Sequence, residues 1–352
     1  MLSFFGKKKI LGLDIGTSSI KIAELDVGKK SSSLLAFGIA PSPPSTFLGG
    51  EIADPQVLGL AVRELVTKIK SKRKNAATGL SGTSVIVKRI SIPRMEEKLI
   101  AEQIRWEAEQ YIPYDINEVN LDYSVLKNVG GPSENMDLLL IAAVQAHVFK
   151  YAETLAVADL NCTILDVAGF ALVNCFRANY GEMAGQTVAL LNVGAAATTL
   201  VILENSEAVF CRDIPVGGLN YTADLQKTLN MSPEEAEAVK LGASNRQTVP
   251  AEATSAIQAT HEVVCEEIKA SVDFFLNSAR SQSISRCFVT GGGAKTFGLM
   301  DRLSKILPCE KLDPFFNVKA NPKDFSREYL AQISDFAAVA VGLGLREVGD
   351  ND

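Results

Sequence analysis

Two stretches of this chain place an acidic or amide residue two positions before a glycine and follow it with very small side chains. The first, in residues 10–25, runs Asp14, Gly16, Thr17, Ser18, Ser19; the second, in 188–203, runs Asn192, Gly194, Ala195, Ala196, Ala197, Thr198. An apolar run enters each bend and another leaves it, the signature of a strand, a tight turn and a returning strand. Backbone N–H groups gathered at such a turn form an anion-binding concavity, and glycine or alanine there lets phosphate oxygens approach the main chain. Two such hairpins facing each other would grip a polyphosphate, with Lys21 adding fixed positive charge. A third small-residue turn, Gly291, Gly292 and Gly293, follows the strand-like 286–289.

Positioning these turns requires sheets, and the sequence supplies the elements. Residues 38–50, rich in proline, serine and glycine, read as a surface loop. In 55–70, Val57, Leu58, Ala61, Leu65 and Ile69 recur at helical spacing, so this helix should cover one face of the first sheet. Residues 79–82 make a turn. The segment 83–162 then reads as an inserted subdomain: a strand at 84–92, a helix at 95–111 stopped by Pro113, strands at 121–126 and 137–144 joined by a loop at 130–133, and a helix at 145–158. On the 95–111 helix, Ile100, Ile104, Ala108 and Tyr111 share one face and should be core. Leu99, Gln103, Trp106 and Gln110 form a second stripe, which sets the only tryptophan between polar neighbours, a composition found at interaction surfaces. Further on, Ser232 reads as the N-cap of a helix, with Pro233 in its first turn. A long helix at 253–279 carries Ile257, Val264, Ile268, Val272 and Phe275.

At 352 residues the chain is long enough for about two domains with a sizeable core. The net charge is −6 and the one dense basic run, 68–74, most simply ends a helix, so nucleic acid is not expected as a main partner. No run of 18 apolar residues predicts a membrane span, and residues 1–9 read as a frayed terminus rather than a secretory signal. Six dispersed cysteines and two distant histidines point away from zinc and toward a reduced cytoplasm.

The three turns, in this order, resemble the two phosphate loops and the adenosine loop of the superfamily of actin, sugar kinases and chaperone ATPases. The small-residue helix 335–346 resembles its last connecting helix. The resemblance implies ATP and Mg2+ as ligands: the amides of Thr17, Ser18 and Ser19 and the side chain of Lys21 on phosphate, Asp14 and Asn192 at hydrated magnesium, and Gly194 and Thr198 in the second phosphate loop. It also implies Gly217 and Gly218 beside ribose and phosphates, and Glu237 and Lys240 on the sugar. Two departures stand out. Asparagine at 192 replaces the usual aspartate, and Ala168 occupies the place of the carboxylate or glutamine that orients the attacking water, with Asp166 the nearest acid, two residues early. Loss of such a group removes roughly 10² to 10⁴ in rate, so the expectation is tight nucleotide binding with slow turnover.

Residues 104–114, Ile104 through Trp106 and Tyr111 to Pro113 and Tyr114, closely resemble a hallmark of the PilM family of type IV pilus assembly proteins. The implied fold is α/β and actin-like, two lobes of duplicated ribonuclease-H-like topology with an inserted FtsA/PilM-type 1C subdomain. In this scheme 1A comprises 1–82, 163–187 and 331–352; 1C is 83–162; the second lobe is 188–330, with 2B inserted at about 219–285. The implied partner is the cytoplasmic N-terminal peptide of the inner-membrane protein PilN, gripped between 1A and 1C with Leu99, Gln103, Trp106 and Gln110 contributing. Other pilus assembly proteins and self-association are further partners, and the implied location is the inner face of the cytoplasmic membrane, reached through PilN. The rival FtsA resemblance brings a C-terminal amphipathic anchor that 346–352 do not match. A small-molecule kinase of the superfamily would need an aspartate beside the cleft, for which the sequence offers no convincing candidate. A scaffold without nucleotide is a third reading.

Overall fold

The computed structural model describes residues 9–28, 31–127, 134–245, 247–278 and 283–350. From the first bend, strands β1 (Leu11–Ile15), β2 (Ser19–Val27) and β3 (Ser32–Pro41) run antiparallel. A small hairpin of β4 (Phe47–Leu48) and β5 (Glu51–Ile52) leads to α1 (Pro55–Lys68), where Asp54 caps the amides of Gln56 and Val57 and proline starts the helix. Strand β6 (Asn75–Leu80) returns parallel to β1.

Next come β7 (Val85–Pro93), α2 (Glu97–Ala108), β8 (Val119–Val125), β9 (Asn135–Val144) and α3 (Gln145–Val157). Strand β10 (Asn161–Val167) pairs parallel with β6, and α4 (Ala168–Tyr180) follows. The second lobe repeats the plan. Its strands are β11 (Thr187–Val193), β12 (Thr198–Glu204) and β13 (Glu207–Ile214), its helices α5 (Gly218–Leu229), α6 (Pro233–Ser244) and α7 (Ala251–Ser278). Strand β14 (Arg286–Thr290), α8 (Leu299–Leu303), β15 (Cys309–Lys311), β16 (Lys319–Ala320) and α9 (Arg327–Gly344) complete the chain.

The duplication is explicit in the topology. One sheet has the order β3-β2-β1-β6-β10 and the other β13-β12-β11-β14-β15, each with three antiparallel strands followed by two parallel ones; β16 extends the outer edge of the first. A core cluster around α4 and α9 includes Leu25 of the first sheet and Leu190 and Val201 of the second. Helix α9 approaches so closely that a Cβ on Gly342 would lie 1.7 Å from the Ala171 carbonyl oxygen, which is why small residues dominate it. Among the described residues no helix is long and apolar enough to cross a membrane.

Strands β7, β9 and β8 form a separate antiparallel sheet covered by α2, with Ile90, Ile92, Ile100, Ile104, Leu138 and Leu140 as its core. The opposite face, through Leu139, joins the core of the second lobe, and Arg89 reaches both Asp137 at 2.7 Å and Glu204 at 3.7 Å. Helix α3, expected to complete this unit, instead buries Tyr151 and Leu155 among Leu11, Leu13 and Leu58 of the first lobe. The proline-rich loop also begins later than expected, because residues 38–41 belong to β3. Gly79 and Leu80 belong to β6, so the turn falls later than expected, at Gly82 to Ser84, where the Val85 amide donates to the Gly82 carbonyl at 3.2 Å. The terminus 1–8, the whole 130–133 loop and Ala279 lie outside the described residues.

Candidate functional site

The two hairpin bends and the glycine turn meet across the gap between the lobes, around a cavity of about 620 Å³. That is ample for a cofactor-sized ligand, since such sites are typically about 300–1,000 Å³. The bends are closed identically. The Gly16 amide donates to the Ser19 carbonyl at 3.1 Å, and the Gly194 amide to the Ala197 carbonyl at 2.9 Å. The alanine tip therefore reproduces the first turn without any residue at positive φ. Ser42 fastens the first bend from behind, its hydroxyl on the Gly16 carbonyl at 2.6 Å and its amide on the Ser18 carbonyl at 3.1 Å.

Asp14, Gly16, Thr17, Ser18, Ser19, Lys21, Asn192, Gly194, Gly218, Glu237, Lys240 and the three glycines 291–293 all line this cavity. Asp14 and Lys21 are register partners on β1 and β2, with Lys21 Nζ 3.1 Å from Asp14 Oδ2. The glycine turn is packed against the second bend: a Cβ on Gly293 would sit 2.6 Å from the Gly194 carbonyl oxygen, and Gly291 has a φ of +100°. Only glycine keeps both main chains that close.

Thr198 and Gly217 do not line the cavity. Thr198 is fully buried and its hydroxyl donates to the Val216 carbonyl at 2.7 Å, so it holds β12 to the loop before α5. The amides at the start of α5 are occupied as well. That of Gly218 donates to the Gly194 carbonyl at 2.9 Å, that of Leu219 to Ala195 at 2.8 Å, and that of Gly217 to the Asn220 side chain at 2.8 Å. The helix start thus braces the second bend. Lys240, which sequence alone cannot distinguish from a solvated helix lysine, is buried; its Nζ lies 2.6 Å from Glu237 Oε2, 3.0 Å from Thr222 Oγ1 and 3.1 Å from the Gly218 carbonyl. With three donors and three acceptors, it ties α6 to α5 and leaves Glu237 facing the cavity.

Ala168 lines the cavity, and Asp166 is turned away from it into an ion pair with Arg346 at 2.5 Å. Burial pushes the Asp166 carboxyl up while the Arg346 guanidinium pulls it down. Sequence reasoning missed Asp213, which lines the cavity from the end of β13. Its Oδ1 accepts from the Thr199 hydroxyl and its Oδ2 from the Gly82 amide, each at 2.6 Å. The second bond crosses from one lobe to the other, and burial pushes the carboxyl pKa up. The available signal was weak: Asp213 shares one face of β13 with Cys211 only, because a bulge at Val209 breaks the alternation before it.

Among the described residues no three His, Cys, Asp or Glu side chains cluster as a metal cage. The acid and amide oxygens of Asp14 and Asn192 suit a hard cation that keeps most of its waters, as magnesium does. On the inserted sheet, Ile100, Ile104 and Ala108 of α2 are buried, whereas Trp106 is 71% exposed and Leu99 46% exposed. Gln103 is partly exposed, donating to Glu107 at 2.9 Å, and Gln110 is exposed.

Duplicated sheets, a connecting helix pair and a cleft framed by two like hairpins define an actin-like fold. Similarity to MreB 5 of Spiroplasma citri, a structure solved with AMPPNP, agrees: the TM-score is 0.53 at 12% identity, over 96% of this chain and 95% of that one. The family model described as type IV pilus assembly protein PilM matches residues 12–348, and the chain belongs to that family. A solved PilM-PilN type IV pilus biogenesis complex contains a chain 30% identical to this one, with a TM-score of 0.88 over 98% of this chain and 100% of that chain. The cell division protein FtsA of Bacillus subtilis is 23% identical over 259 residues, which span 65% of this chain and 57% of the length of that relative.

Proposed function

We propose that this chain works in type IV pilus assembly by holding the cytoplasmic N-terminal peptide of a PilN while ATP and magnesium occupy the cleft between its lobes. The observation that carries the partner half is the likeness, over 98% of the chain, to a protein solved as a PilM-PilN complex. We place the inserted unit at residues 83–144 rather than 83–162, because α3 shares the first lobe's core. The peptide then lies between that unit and the first lobe, within reach of the exposed stripe of Leu99, Gln103, Trp106 and Gln110.

For the nucleotide, the bends at Gly16 and Gly194 supply amides to the phosphates, Lys21 supplies charge, and the turn 291–293 with Glu237, which Lys240 holds in place, takes the nucleoside side. Magnesium, when bound, screens the phosphate charge. Asp14 and Asn192 hold its waters. Turnover is slow, because Ala168 offers no group to orient water and Asp166 is committed to Arg346. Contact with the membrane is through PilN, on the cytoplasmic side. Titrating the full chain with the PilN peptide and separately with ATP and magnesium tests the reading; binding of neither removes it.

A further inference from the structure

Four carboxylates line the cleft, and three have a cation beside them: Asp14 has Lys21 at 3.1 Å, Glu237 has Lys240 at 2.6 Å, and Asp335 has Lys311 at 2.8 Å. Asp213, the fourth, has no cationic partner among the described residues; its acceptors are satisfied only by the neutral Thr199 hydroxyl and Gly82 amide. The lining as a whole sets these four acids against three lysines, Lys21, Lys240 and Lys295. A triphosphate entering such a cavity brings several negative charges into one that holds no surplus of positive charge. A divalent cation is therefore needed near whichever acid is left uncompensated.

The place of Asp213 is specific. Asn192 pairs with Thr199 across β11 and β12, and Thr199 pairs with Asp213 across β12 and β13. All three line the cavity as one row across the sheet. Position 192 carries an amide, and the nearest carboxylate in its row stands two strands along, about 10 Å at the usual strand spacing. Such a span suits a hydrated ion held through its waters. Each Asp213 oxygen accepts one hydrogen bond here and has a further lone pair for a water.

We propose that Asp213 supplies the negative charge that Asn192 lacks, holding through water the divalent cation that accompanies the bound triphosphate. The proposal rests on the nucleotide reading above. The test uses the full chain and compares ATP affinity with magnesium and with EDTA by calorimetry, alongside manganese binding to the ATP complex by electron paramagnetic resonance. The wild type should gain about tenfold or more from magnesium, the effect of one partly solvated charge, and Asp213→Asn should lose most of that gain while its affinity in EDTA holds or rises. Asn192→Asp combined with Asp213→Asn moves the carboxylate along the row at constant charge and should keep the wild-type ratio; it also carries the test if the single variant folds poorly. An unchanged ratio and manganese signal in Asp213→Asn, or a double variant that has lost the metal effect, overturns the proposal and leaves Asp213 a tie between Thr199 and Gly82. Absence of ATP binding in the wild type overturns the nucleotide reading and this proposal with it, whereas the first two results leave that reading intact.

Discussion

Lys21 and Asp14 face each other as register partners on the first hairpin, Nζ 3.1 Å from Oδ2, at the mouth of the turn that would receive phosphate. Without ligand each neutralises the other. In the proposed complex with a triphosphate and its cation, the lysine would turn to phosphate and the acid to the ion, exchanging one internal contact for two external ones.

Lys21→Ala should therefore remove most of the thermal stabilisation that ATP with magnesium confers. A ligand at 100 times its dissociation constant adds about 2.7 kcal/mol to folding stability. The unliganded variant should lose only about 1 kcal/mol, because both partners retain some solvent access. Melting curves with and without ATP separate the two effects; an ATP shift that survives in the variant contradicts the assignment of Lys21.

Asn192→Asp with Ala168→Glu should speed hydrolysis, since the two changes restore a metal-facing charge and a group able to orient water at the cavity wall. An increase of up to roughly 10²-fold is the scale for adding a positioned base. Phosphate release measured under saturating ATP checks this, and an unaltered rate would mean that another step limits turnover.

Trp106→Ala should weaken the PilN peptide by at least about tenfold, the usual cost of truncating an interface tryptophan in a desolvated pocket. Trp106 is 71% exposed in the free chain, so stability should change by no more than about 0.5 kcal/mol. ATP affinity should be unaffected. Calorimetry on both ligands distinguishes this from a global defect, which would lower both.

Both histidines of the chain are buried, and burial lowers the pKa of each. His147 Nε2 donates to the Ser81 carbonyl at 3.1 Å; His261 Nε2 donates to Phe297 at 2.8 Å while Nδ1 accepts from the Tyr221 hydroxyl at 2.9 Å. Each is thus held neutral in the fold. With folded pKa values below the unfolded 6.5, the unfolded chain binds more protons, so stability is full above that pH and is lost as pH falls through the folded values. Melting temperature should drop between pH 7 and 5, and His147→Gln with His261→Gln should flatten that part of the profile at a lower overall stability. An equal slope in the variant would assign the pH dependence to carboxylates.

The parts of this molecule that were legible in its sequence are those governed by local rules. Glycine and alanine at a bend between apolar runs announce both hairpins, Ser232 with Pro233 announces the start of α6, and the spacing of Ile100, Ile104 and Ala108 fixes the buried face of α2. Illegible were features set by packing between distant segments. The apolar face of α3 does not say which sheet it covers, and the Lys240 sequence context is that of any surface lysine until α5 closes over it. Thr198 has the right spacing for a phosphate loop, but its hydroxyl is taken by a carbonyl 18 residues away. Asp213 meets Gly82 from 131 residues away, a contact that no periodicity encodes.

The most direct test of the whole account is a calorimetric titration of the full chain with the cytoplasmic N-terminal peptide of PilN. The account predicts saturable one-to-one binding that Trp106→Ala weakens and Lys21→Ala leaves in place. No measurable binding at peptide concentrations on the order of 1 mM, a free energy weaker than about −4.1 kcal/mol, would contradict it.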